Sequence, residues 1–250
     1  MQIGIAVAVA LAASVLGPTG NVMAGAADKL PDFELARPHD MSVQVAPNNR
    51  KRLRFGSVVY NVGDGPMEMR ASNRQSTVMT NVRQRIYRTD DTFRDVPKDV
   101  RVSYEDDGHN HFHIRKFIVA SLTRLDGSAP IRRLRKIGFC LVDTLQRSPA
   151  VPGTGSARFF GCGTRYSQSV TTGISLGWGD VYSPNTRYQQ IDVTGLPTGS
   201  YLLCATVNPL GAWSEKNGVS SNNSYWFVVN LNPSAATVVP TDEGDGPCPA

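Results

Sequence analysis

Short runs rich in Val, Ile, Tyr and Phe, each ended by turn-forming residues, constrain the fold of this chain more than any other feature. "RLRFGSVVYNV", "HFHIRKFIVASL", "IGFCLVD", "QQIDVT", "SYLLCATV" and "NSYWFVVNL" are too short for typical helices, and "NVGDGP", "DGSAP", "GLPTG" and "NPLG" punctuate them. β-Branched and aromatic side chains suit a pleated, half-buried surface, and Gly and Pro supply the turns between strands. The pattern predicts an all-β fold, a β-sandwich-like domain of antiparallel strands with long loops. Within it, "IDVTGLPTGSYLLCATVNP" reads as a hairpin and residues 144–176 as a Gly/Ser/Thr-rich connection. The tail "PTDEGDGPCPA" reads as loose unless Cys248 pins it.

No charged side chain precedes Asp28. The apolar run from Ile3 to Leu16, followed by Gly, Pro and small residues, reads as a secretory signal peptide cleaved near Ala26, although it lacks the usual basic start. That run is too short to span a bilayer comfortably, and no later stretch is apolar enough. Residues 1–26 are therefore expected to be a signal peptide and 27–250 a single secreted domain, with no membrane contact after cleavage. In an exported protein the four cysteines (Cys140, Cys162, Cys204 and Cys248) imply two disulfides, and three connectivities are open. The net charge is +5, and basic residues cluster in "RKRLR" (50–54) and "RRLRK" (132–136). Such clusters can attract acidic polymers, but the simpler reading is a solvated face, and export makes nucleic acid a poor partner.

Three of the four histidines fall in "GHNHFHI" (108–114), at 109, 111 and 113. Side chains alternate between the faces of a strand, so His109, His111 and His113 point one way while Phe112 and Ile114 point the other. Same-face neighbours lie about 6.6 Å apart, too far for one ion unless the strand kinks, and Gly108 offers that freedom. The period of two is what a three-histidine metal site on one strand requires. Imidazole suits copper, zinc, nickel or iron, so ligand type alone does not choose.

"GHNHFHIRKF" (108–117), "RKIGFCLVDT" (135–144), "GWGDVYSPNTRYQQIDVTGLPTGSYLLCATVNP" (177–209) and "NGVSSNNSYW" (217–226) follow one another in the order found in the lysyl oxidase family, which this sequence resembles. "LPDF" (30–33) and "LRFGSVVYNVGDGP" (53–66) sit where that family has related text. The resemblance implies that His109, His111 and His113 bind copper, and that Lys136 and Tyr182 become cross-linked into lysine tyrosylquinone. It implies an amine oxidase that uses dioxygen to convert primary amines, peptidyl lysine or small alkylamines, to aldehydes with release of hydrogen peroxide and ammonia. Asp180, two residues before Tyr182 and on the same face of a strand, is the expected base. Some relatives also bind calcium, and Asp32, Phe33, Asn222 and Asn223 match those positions; the acidic member stays open, since Glu215 lies two residues further from the Asn pair than the family spacing, and Asn217 or Val219 fall where carboxylates are expected.

The match departs at the cysteines: Gly108 stands where animal members carry a disulfide cysteine. Beside that resemblance we expect Cys140 to pair with Cys162, and Cys204 with Cys248. An amine substrate is cationic, as is this chain, unless the acidic residues at 90–91, 105–107 and 180 form a local negative mouth. The alternative to an oxidase is a non-catalytic extracellular copper-binding module of the same fold, which needs neither Lys136 nor Tyr182. A zinc hydrolase built on the three histidines lacks an evident partner motif.

Overall fold

The computed structural model describes residues 25–249 apart from 107, 127, 130 and 220, so the expected signal peptide lies outside them except for its last two residues. Among the described residues there is no α-helix, and the strands form three sheets. The first sheet runs β12 (Gly138–Phe139), β9 (His111–Arg115), β8 (Val102–Glu105), β6 (Val78–Arg88), β5 (Met67–Gln75), β14 (Val170–Ile174), with β1 (Asp28–Lys29) and β7 (Phe93–Pro97) also on β6. The second runs β11 (Arg132–Arg133), β10 (Ile118–Arg124), β17 (Gly199–Val207), β18 (Ser224–Asn232), β19 (Thr237–Asp245). The third runs β13 (Leu145–Gln146), β15 (Trp178–Tyr182), β4 (Lys51–Asn61), β16 (Gln190–Asp192), with β2 (Phe33–Leu35) and β3 (His39–Val45) also on β4. All pairings are antiparallel.

Alternation within the strands fills one shared core. Leu53 and Phe55 from β4, Phe112 and Ile114 from β9, Leu203 and Ala205 from β17, and Phe227 and Val229 from β18 all belong to a single buried cluster. Each large apolar side chain so buried contributes roughly 1.5–3 kcal/mol, which favours inward-facing register over any one-residue slip.

Two sequence expectations change in the structure. "HFHIRKFIVASL" is two strands, because Lys116 adopts a left-handed conformation (φ 58°) and turns the chain from β9 in the first sheet to β10 in the second. "IDVTGLPTGSYLL" is an arch and not a hairpin: β16 pairs with β4, whereas β17 pairs with β10 and β18. The tail forms β19, paired along β18, with the Cys204–Cys248 disulfide just beyond it. The long β5–β6 hairpin escaped the sequence reading because Arg, Asn and Gln interrupt its apolar alternation.

The connection 144–176 is held at several points. Cys140 and Cys162 form the expected disulfide. The buried Asp143 carboxylate accepts from the backbone N of Arg158 (2.7 Å), Phe159 (3.1 Å) and Ser175 (2.8 Å), and from Ser175 Oγ (2.7 Å). Four hydrogen bonds to one buried charge fold the connection back against the segment carrying Lys136 and the strand carrying Tyr182.

Candidate metal and quinone centre

His111 and His113 lie on β9, but His109 precedes the strand, in a turn where Gly108 (φ 100°) and Asn110 (φ 56°) are both left-handed. That turn is the expected kink. It folds the His109 ring back to 5.7 Å from His111 and 5.0 Å from His113, centroid to centroid, with His111 and His113 at 4.7 Å. One ligand nitrogen from each ring falls within 4.8 Å of the others, closer than flat strand spacing allows. Nε2 of His113 stands 2.9 Å from Nε2 of His111. The buried His113 is pushed down to about 2, first by desolvation and then by the charge of Lys136 and the other histidines, so its ring is neutral and able to ligate. Three convergent imidazoles are a donor set that fits copper. Gly138 makes this packing possible: a Cβ there would lie 2.7 Å from the His113 Cβ.

Lys136 reaches the centre from the segment just before β12, which pairs with β9 through Gly138↔Arg115 and Phe139↔Ile114. Tyr182 and Asp180 come from β15, which pairs with β4 through Tyr182↔Ser57 and Asp180↔Val59. The Lys136 Nζ stands over the Tyr182 ring, 5.2 Å from its centroid, and 5.2 Å from the Phe139 centroid. The Tyr182 hydroxyl donates to the Cys140 carbonyl at 2.5 Å, so the residue carrying the disulfide also anchors the phenol. Phe139 packs edge-on against the same ring.

Lys136, Asp180 and Tyr182 are 4%, 2% and 7% exposed, which places three polar groups together out of water. Burial pushes the Asp180 carboxyl well above the usual carboxylate range, against the opposing hydrogen bond from Tyr182 and the charge of Lys136. Burial likewise raises the Tyr182 phenol, with the Asp180 charge adding to it. Asp180 Oδ2 is buried without a hydrogen-bond partner.

A cleft of about 280 Å³ opens beside these groups, lined by His109, His113, Lys136, Glu105, Arg115, Arg135 and Tyr188 among others. Among the described residues, Glu105 is the one acidic residue of that possible negative mouth that lines the cleft. Glu105 is held by Arg115 at 2.7 Å, Asp91 lies in the β6–β7 turn against Lys29, and Asp180 is buried beneath. The rim is basic because its arginines outnumber its carboxylate. Tyr188 and Arg135 escaped the sequence reading: Tyr188 adopts φ 65° and stacks against Arg135 (4.6 Å) and Arg187 (5.2 Å). A bulky residue in a left-handed conformation is a structural signal with no counterpart in composition.

The second expected site also assembles. Asp32 accepts from Asn222 (3.2 Å) and Asn217 (3.0 Å), and the backbone N of Phe33 donates to Glu215 (2.8 Å). Asn223, in the short 3₁₀ turn Ser221–Asn223, donates to both oxygens of Glu215. Burial, with a smaller contribution from Asp32, pushes Glu215 up to about 7. Sequence spacing left the acidic member of this group undecided; the structure brings Glu215 to it.

A family model described as Lysyl oxidase matches residues 72–239, which include every residue of the histidine, Lys136, Asp180 and Tyr182 group. "Lysyl oxidase homolog 4" of Homo sapiens is 32% identical over 162 residues, covering 64% of this chain and 16% of the human protein. "Lysyl oxidase homolog 4" of Bos taurus is 34% identical over 102 residues, covering 40% of this chain and 12% of the bovine protein. The chain thus corresponds to a small part of either relative.

Proposed function

This chain belongs to the lysyl oxidase family, and from there we propose that it is a secreted, copper-dependent amine oxidase whose cofactor forms from Lys136 and Tyr182. The observation that carries the reading is the position of the Lys136 amine over the Tyr182 ring, in a residue that also lines the cleft with His109 and His113. Addition of an amine to a quinone carbon approaches from the ring face, and Lys136 stands on that side. A purely metal-binding module has no use for this pair.

His109, His111 and His113 would hold copper. When present, copper supplies the redox chemistry that oxidises the Tyr182 ring with dioxygen, and the cross-linked quinone supplies the electrophilic carbonyl that accepts a primary amine and its electrons. The chain's own residues do the rest. The Cys140 carbonyl and Phe139 fix the ring, and the enclosure keeps water from it. Lys136 must be neutral to add. The Arg115 and Arg135 charges at the rim disfavour the cationic form of an incoming amine by like-charge repulsion, which favours the neutral nucleophile that condensation needs. Asp180 acts as the base, taking the substrate's α-proton on its unpartnered Oδ2; a carboxylate raised by burial is a stronger base than an exposed one. Products are an aldehyde, ammonia and hydrogen peroxide.

Protein matured with copper in air should stain for quinone and release peroxide from a simple alkylamine. Lys136→Ala and Tyr182→Phe should abolish both while copper stays bound. Staining that survives in either variant would remove the proposal's basis.

We also propose that Asp32, the Phe33 carbonyl, Asn222 and Asn223, together with Glu215, hold calcium. Carboxylate, amide and carbonyl oxygens suit that ion, and a cation would relieve the proximity of Asp32 to the buried Glu215.

A further inference from the structure

The two basic runs, eighty residues apart in sequence at 50–54 and 132–136, come together in space. Arg52 and Arg54 lie on β4, whose Leu53 pairs with Ile191 of β16. Ile191 in turn bridges to Leu134, and Arg135 N bonds the Gln190 carbonyl at 2.9 Å. Leu53, Ile191 and Leu134 all face the core. By alternation, Arg52, Arg54, Arg133 and Arg135 stand on the opposite, outer face, in two rows with the two runs about 10 Å apart, two strand spacings. Asp192, in the row between Arg52 and Arg133, is already engaged by Arg50 at 3.2 Å.

Twelve lysine and arginine side chains among the described residues lie within ion-pair distance of a carboxylate. Arg52, Arg54, Arg133, Arg135 and Arg187 are not among them. Arg54 is pushed down by burial and then by the charge of Arg52, so like charges are crowded here. The face also runs into the cleft. Arg135 lines it, Arg135 and Arg187 flank Tyr188, and Arg187 Nη1 approaches Gly108 at the turn that carries His109.

We propose that this face binds an acidic polysaccharide and so brings the cleft to a polyanionic surface. Guanidinium groups match carboxylate and sulfate oxygens two at a time, and regular rows suit a regularly charged chain. Two disulfides place the protein in an oxidising, extracytoplasmic setting where such polymers occur. Nucleic acid is disfavoured because single-strand readers use open aromatic faces, whereas Tyr188 is flanked by two guanidinium groups.

The test is binding of the full, disulfide-bonded protein to heparin and to polygalacturonate at about 0.15 M salt, where weak long-range charge effects are screened. Arg52→Glu with Arg133→Glu should weaken binding at least tenfold. Arg83→Glu with Arg165→Glu, an equal change in net charge made elsewhere, should weaken it less than twofold. Should charge reversal disturb folding, judged by circular dichroism, the milder Arg52→Gln with Arg133→Gln should still cost about threefold. Equal losses from both pairs, no binding by the unaltered protein, or equally tight binding of a short DNA duplex would each overturn the proposal. None of these readouts depends on amine turnover.

Discussion

Tyr182 sits where three influences meet. Its hydroxyl donates to the Cys140 carbonyl, its ring packs edge-on against Phe139, and the Lys136 amine stands above it. Asp180 beneath it is the group whose titration should be visible. Its folded value is raised, so its protonated form favours the folded state. That contribution is fully present below the unfolded value near 3.9 and is lost as pH rises through the raised folded value. The unaltered protein should therefore lose thermal stability as pH rises above about 4, by calorimetry, more steeply than Asp180→Asn, which has no proton to lose. The same variant should lower amine oxidation by about 10²-fold or more, the usual cost of removing a general base. Oxidation at the unaltered rate would remove Asp180 from its role. The histidine period was legible at this scale as side-chain spacing, whereas Lys136 and Tyr182 came only from the resemblance to a family and Asp180 from its place two residues before Tyr182. Tyr188 and Arg135 were not legible, because only tertiary pairing brings them to the cleft.

At the scale of elements, strand content was legible and strand partnership was not. β4, β17 and β18 follow from apolar alternation. The break at Lys116 and the arch between β16 and β17 do not, because a single left-handed residue or a change of sheet leaves the apolar pattern unaltered. The 144–176 connection shows how an irregular element acquires fixed form: Asp143 receives three backbone N–H groups and one hydroxyl in place of a ladder. Asp143→Ala leaves those donors buried and unpaired. A hydrogen bond to a charged group contributes about 1.5–3 kcal/mol, so the variant should lose about 3 kcal/mol or more of stability in denaturant unfolding. A loss within about 0.5 kcal/mol would show that the connection is held by the Cys140–Cys162 disulfide alone.

Across the whole molecule, three sheets share one core, and both candidate sites lie where segments distant in sequence meet on it. The Asp32 group joins β2 to the chain around 208–223, so a cation there would hold two remote segments together. Calcium added to chelator-treated protein should raise the thermal midpoint, and Asp32→Asn should abolish the rise; an equal rise in both would place the ion elsewhere. The candidate metal and quinone centre joins the turn before β9, the segment before β12 and the end of β15, so the complete fold is needed to bring an amine, a phenol and three imidazoles together. The most direct measurement is peptide mapping by mass spectrometry after copper loading in air. The expected product is one cross-linked species containing both the Lys136 and the Tyr182 peptides. Recovery of the two peptides separate and unmodified, from protein with copper bound, would contradict the account.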